Sequence, residues 1–179
     1  MLQLGIDPSS KPGEHHAALW DGSQCIAAGR VFITATGYVA IDGEVYYMPD
    51  AVIIETPDPD AGTFTANGKT VRSRTGAITR MYHEALTLAR QFAEAGCAVW
   101  IPSADVIRRQ AGWNPRKGGK ADAFVTRELY TRGVLAVWAG TWRAADPIYL
   151  RNGHNRDACM AAMFNTGEIN KQYKYEVKE

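Results

Sequence analysis

At 179 residues and 46% hydrophobic content, the chain is long enough to bury the core of one domain. No run of about 18 apolar residues occurs, so no membrane span is expected. A net charge of +1 excludes a polycation, and any polyanion binding has to come from local clustering of charge. The first residues carry no basic segment followed by an apolar stretch, so a secretory leader is not expected. Cys25, Cys97 and Cys159 are odd in number and far apart, and they fit neither a disulfide framework nor a zinc cluster. A reducing cytoplasm is the expected location.

In chain order, residues 2–7 read as a strand that stops at Asp7 and Pro8. His16 to Trp20 and Cys25 to Ala28 read as two more strands, joined through the hairpin signal Asp21-Gly22. Arg30 to Ala35 extends or follows the second of them. Asp42-Gly43 between "YVAI" and "EVYYM" signals another hairpin, and "AVIIET", residues 51–56, is β-branched and apolar enough for a central strand. Residues 57–72 read as a long polar loop. From Thr75 to Ala95, Ile78, Met81, Tyr82, Ala85, Leu86, Ala89 and Phe92 recur at steps of three and four, which predicts a helix ended by Gly96. "CAVWIP" at 97–102 reads as a strand, Asp105 to Ala111 as a short helix, "KADAFVTRELYTRG" as a helix ending at Gly133, and "HNRDACMAAMF" as a last helix. From Asn170 the chain is polar and expected to be loose. Strands first, then alternating helix and strand, predict one mixed α/β domain with helices packed on a single sheet.

Two of these strands end alike. "LQLGIDPSS" and "AVIIETP" each run apolar, place a carboxylate at the end (Asp7, Glu55) and close with proline. Proline cannot donate to a ladder, and ligands in open α/β sheets bind at the carboxyl ends of strands. If the two strands are neighbours, the acids face each other and resist ionisation unless a cation lies between them. A hard divalent ion with oxygen ligands suits such a pair. His154 and Asp157, three apart, share one face of the last helix, ahead of Ala158, Ala161, Ala162 and Phe164. Each residue also has a plain structural reading: an Asx-type turn at Asp7, an arginine partner for Glu55, a helix cap at Asp157, a surface position for His154.

Basic residues gather in two stretches free of acids. One holds Arg72, Arg74 and Arg80, the other Arg108, Arg109, Arg116, Lys117 and Lys120. They make either a one-sided face for a polyanion or an ordinary solvated surface.

With "LGIDPS", "AVIIETP" and "HNRDACMAAM" in this order, the chain resembles the RuvC-like Holliday junction resolvases of the RNase H-like nuclease superfamily. "GGKADAFVTREL" is similar to the family's glycine-lysine segment opening a helix near DNA, and the helix after "SRTGAI" to its long helix after the second acid. The resemblance implies an RNase H-like mixed β-sheet flanked by α-helices, a nuclease domain over 1–169 and a polar C-terminal tail over 170–179. It implies Asp7, Glu55 and Asp157 as metal-binding acids, His154 as a ligand or proton-transfer group, and Lys120 beside the scissile phosphate. Two Mg2+ ions per site are expected, with Mn2+ as a substitute, about 3.5–4 Å apart as in two-metal phosphodiester hydrolysis. The hairpin at Asp42-Gly43, where the family has a helix, and the length of the 57–72 loop suggest a divergent, phage-type member.

The expected activity is magnesium-dependent endonucleolytic resolution of four-way DNA junctions by paired nicks. A symmetric junction suits a C2 homodimer. Arg72, Arg74, Arg80, Arg108, Arg109, Arg116, Lys117 and Lys120 would hold DNA arms, and Phe64 is a candidate wedge that stacks on an opened base, or else part of a local cluster under its loop. Alternatives are an RNase H-like nuclease for other branched DNA, RNA or RNA–DNA hybrids, and a non-catalytic DNA-binding module of the same fold.

Overall fold

The computed structural model describes residues 1–34, 37–57, 63–66, 69–72, 75–114, 120–132 and 152–177, with the backbone alone at 63–66, 69–72, 75, 122 and 130. The strands are β1 (Gln3–Asp7), β2 (His16–Trp20), β3 (Cys25–Ile33), β4 (Tyr38–Ile41), β5 (Glu44–Tyr47), β6 (Ala51–Ile54), β7 (Thr63–Ala66), β8 (Lys69–Arg72) and β9 (Ala98–Trp100). The helices are α1 (Thr75–Glu94), α2 (Ala104–Gln110), α3 (Ala121–Thr131) and α4 (Gly153–Ala162), followed by a 3-10 helix at Glu168–Tyr173.

Seven strands form one sheet in the order β5-β4-β3-β2-β1-β6-β9. From β5 to β1 neighbours are antiparallel, whereas β1–β6 and β6–β9 are parallel. This is a mixed α/β sheet flanked by helices. At the Asp42-Gly43 hairpin both residues take left-handed φ, 48° and 88°, as a two-residue turn between right-twisted strands requires.

The central strands are buried on both faces, so their side chains divide by parity. Leu4, Ile6, Val52 and Ile54 pack with Ala85, Leu88, Ala89 and Phe92 of α1. Ala51 and Ile53 lie on the opposite side, with Ile107 of α2, Val125 and Leu129 of α3, and Ala158, Cys159 and Ala161 of α4. Gly5 belongs to that second face. A Cβ built there would run into the Ala158 carbonyl oxygen and the Ala162 amide nitrogen, so helix α4 lies directly on strand β1 with no side chain between.

Two expectations need correction. The 57–72 stretch is not simply loop: β7 and β8 pair antiparallel, Thr63 opposite Arg72 and Ala66 opposite Lys69. Asn67-Gly68, between two runs rich in threonine and apolar residues, is a hairpin signal that a reading by polarity passes over. The chain after Asn170 is not loose through Tyr175: the Asn170 side chain is buried, its Nδ2 donates to the Asn165 carbonyl at 2.6 Å, and the Tyr175 amide donates to the Val99 carbonyl at 2.8 Å. Among the described residues, this segment is what lies along the outer side of β9, with Lys174 bridging to Trp100. No helix among the described residues is long and apolar enough to cross a membrane.

Candidate functional site

Parity and register together set the site. On β1, Gln3, Gly5 and Asp7 share the α4 face, and on β6 so do Ala51, Ile53 and then Glu55. The parallel register pairs Ile6 with Ile54, and the Glu55 amide donates to the Ile6 carbonyl at 2.9 Å. Asp7 and Glu55 therefore end neighbouring strands on one face. Pro8 follows Asp7 directly, and Pro57 stands two residues after Glu55, leaving room for a single bridge at Thr56.

Helix α4 brings the other two residues. Asn152, not Asp157, is its cap, the side-chain oxygen accepting from the His154 amide at 2.9 Å. Close packing of the alanines on Gly5 then sets the first turn over the strand ends. The His154 Nδ1 lies 2.7 Å from the Asp7 Oδ2. That hydrogen bond raises the imidazole pKa above its ordinary value, with further support from the charges of Asp7 and Asp157.

Glu55 shows the electrostatic state of the site. Its carboxyl is pushed up to about 8, first by burial and then by the charges of Asp7 and Asp157, with Arg108 pulling the other way. The Arg108 guanidinium of α2 bridges two of the acids: its Nη2 is 4.0 Å from Glu55 Oε1 and 3.7 Å from Asp157 Oδ1. Both carboxylates thus lie around a single nitrogen. Helix α2 reaches this point because Thr56 pairs with Ser103, and the Ala104 amide donates to the Thr56 carbonyl at 3.2 Å. Ser103 caps the helix, accepting from Val106 at 3.4 Å.

Sequence reasoning missed two residues here, His16 and His15, and gave a third a different role. His16, register partner of Asp7 on β2, stacks on His154 with ring centroids 5.2 Å apart. Its Nδ1 lies 2.6 Å from Oδ1 of the buried Asn155. The adjacent His15 points to the other face, accepts from the Ser9 amide at Nδ1 (3.1 Å) and meets Glu84 of α1 through Nε2 at 3.5 Å. Burial holds its pKa below the ordinary value, although Glu84 opposes this. The "HH" pair at the start of a strand opposite Asp7 was the available signal. The third is Arg108, expected from its basic run to hold a DNA arm, whose guanidinium lies beside Glu55 and Asp157.

Of the other predicted residues, three have described side chains. Arg109 is exposed and paired with Asp105 at 2.7 Å. Arg80 is exposed on α1, and Lys120 is exposed immediately before α3. Arg74, Arg116 and Lys117 lie outside the described residues, as do the side chains of Phe64 and Arg72. Two grooves meet at His154. One of about 280 Å3 runs past Asp7, Ser9, His16 and Arg30, and one of about 460 Å3 past Asn152, Arg156 and Asp157.

Among the described residues, no three histidine, cysteine, aspartate or glutamate side chains are gathered tightly enough to hold a metal ion as they stand. The donor chemistry nevertheless suits a hard divalent cation: carboxylates from three elements, mutually repelling, with a guanidinium already drawn between two of them. The repulsion has a measurable consequence. A carboxyl whose pKa is raised on folding keeps its proton while the unfolded chain loses one, so it costs stability as pH rises from about 4.5 towards 8. Without divalent cations, Glu55→Gln will match the wild type at pH 4.5 and exceed it at pH 8 by on the order of 2 kcal/mol in urea denaturation. A gap that is absent, or largest at low pH, would contradict this.

No family model matches the sequence, and no curated protein matches it. Among solved structures the chain is similar to RuvC of T. thermophilus in complex with a Holliday junction substrate. The identity is 19% and the TM-score 0.45, covering 97% of this chain and 98% of that one. It is similar also to the Thermus thermophilus RuvC structure at 15% identity and TM-score 0.42, with the same coverage of each chain, 97% and 98%.

Proposed function

We propose that the protein is a divalent-cation-dependent endonuclease that nicks four-way DNA junctions in pairs, as a divergent, phage-type member of the RuvC-like resolvases. The observation that carries this reading is the placement of Asp7 and Glu55 at the ends of two parallel strands and of Asp157 near the start of α4, with Glu55 raised to about 8 by burial and then by the charges of the other two. Asp7, Glu55 and Asp157 would hold Mg2+, or Mn2+ in its place. When bound, the cations supply an acidified water and charge neutralisation at the phosphodiester. His154 is bonded to Asp7 through Nδ1, which leaves Nε2 for proton transfer at the groove. His16 stacks on the imidazole and fixes its plane. Lys120 would stabilise charge on the phosphate, and Arg72, Arg74, Arg80, Arg109, Arg116 and Lys117 would grip the arms, with Phe64 as the wedge. Two nicks related by the symmetry of a junction call for a homodimer.

One observation favours a second reading. A guanidinium that neutralises Glu55 and Asp157 permanently would make the chain a non-catalytic DNA-binding module. Incubation with an end-labelled immobile junction decides between them. The nuclease reading predicts paired nicks with Mg2+, none with chelator, and little cutting of linear duplex. Binding without any nicking would leave only the module, and equal cutting of duplex would remove the junction specificity.

A further inference from the structure

Arg108 sits in an unusual compromise. One nitrogen, Nη2, serves both acids at 4.0 and 3.7 Å, each too long for a hydrogen bond. A guanidinium prefers bidentate contact with a single carboxylate or phosphate, and here it has neither. The neighbouring Arg109 is committed outwards to Asp105. The root of Arg108 is fixed, since Ile107 is buried in the core and α2 is capped by Ser103. Only the flexible stem and the head, 18% exposed, are able to move. The head lies close to both acids, and a positive charge there repels a divalent cation.

We propose that Arg108 couples DNA binding to cation loading: it holds Glu55 and Asp157 while no DNA is bound, and exchanges them for a backbone phosphate when DNA enters the groove. The inference rests on the cation-dependent nuclease reading above. Release of the guanidinium onto a phosphate gives it the bidentate partner it lacks and takes its charge away from Glu55 and Asp157. By linkage, the same residue that weakens cation binding in free protein strengthens the response to DNA. A nuclease built this way carries few loaded cations until a substrate is present.

The test measures Mn2+ binding to DNA-free protein by electron paramagnetic resonance, and junction binding in chelator over a range of salt. Wild type, Arg108→Gln, Arg108→Lys and Glu55→Gln are compared, with far-UV circular dichroism to confirm folding. Arg108→Gln is expected to bind Mn2+ about tenfold more tightly than wild type, and Arg108→Lys, which keeps the charge, nearly as wild type. The salt slope of junction binding should fall by about one phosphate contact in Arg108→Gln. Unchanged or weaker Mn2+ binding in Arg108→Gln, while Glu55→Gln abolishes it, overturns the coupling and leaves the nuclease reading standing. Tighter Mn2+ binding with an unchanged salt slope overturns the transfer to phosphate. If neither wild type nor Arg108→Gln binds Mn2+, the cation site itself falls, and this inference with it.

Discussion

Gly5→Val will leave the protein largely unfolded or expanded. Position 5 faces α4 at the point where the Ala158 carbonyl and the Ala162 amide approach the strand, and even a Cβ has no room there. The obstacle is helix backbone, which cannot rotate away as a side chain would. Overpacking a core ordinarily costs about 1–3 kcal/mol, and pushing a whole helix off the sheet exceeds that range. A loss of more than about 3 kcal/mol is a large share of a domain's total stability. Displacing α4 also carries His154 away from Asp7, so any folded remainder will lose the 2.7 Å contact. Denaturant titration followed by circular dichroism checks this. A Gly5→Val protein within about 1 kcal/mol of wild type would mean that α4 does not lie on β1 as described.

On the proposed nuclease reading, Asp7→Asn will abolish cleavage while the protein still folds and binds junctions. The amide keeps the size of the carboxylate and the hydrogen bond to His154, so packing is little changed. What disappears is a negative charge that would serve both a divalent cation and the imidazolium. Nicking should fall by about three orders of magnitude or more, the scale on which loss of a central electrostatic group acts. Junction affinity in chelator should stay within about threefold, because phosphate contacts come from elsewhere. The His154 pKa, raised chiefly by this contact, should drop back towards its ordinary value, an effect visible by NMR titration. Cleavage within about tenfold of wild type would remove Asp7 from the chemistry.

Much of this architecture could be read in the residues. The recurrence of an apolar run, a carboxylate and a proline at Asp7 and Glu55 has a geometric content: side chains alternate, so in adjacent parallel strands both acids fall on one face. The i, i+3 spacing of His154 and Asp157 and the alanines behind them pointed to a helix that packs closely, and it does so on Gly5. What could not be read depends on contacts distant in sequence. His16 matters only because β2 pairs antiparallel with β1 and sets it opposite Asp7. Arg108 lies in a basic run that looks solvent-facing, and only the Thr56–Ser103 bridge turns α2 so that this one arginine points inwards while Arg109 does not. The chain beyond Asn170 is polar in composition, yet its backbone finds partners on β9.

The central claim is that Asp7, Glu55 and Asp157 jointly bind divalent cations. Crystals soaked in Mn2+, with data collected at the manganese absorption edge, test it most directly. The account predicts anomalous density bounded by those three carboxylates, with the Arg108 head turned away from Glu55 and Asp157. Empty density there at millimolar Mn2+, with Arg108 still between the acids, would contradict it.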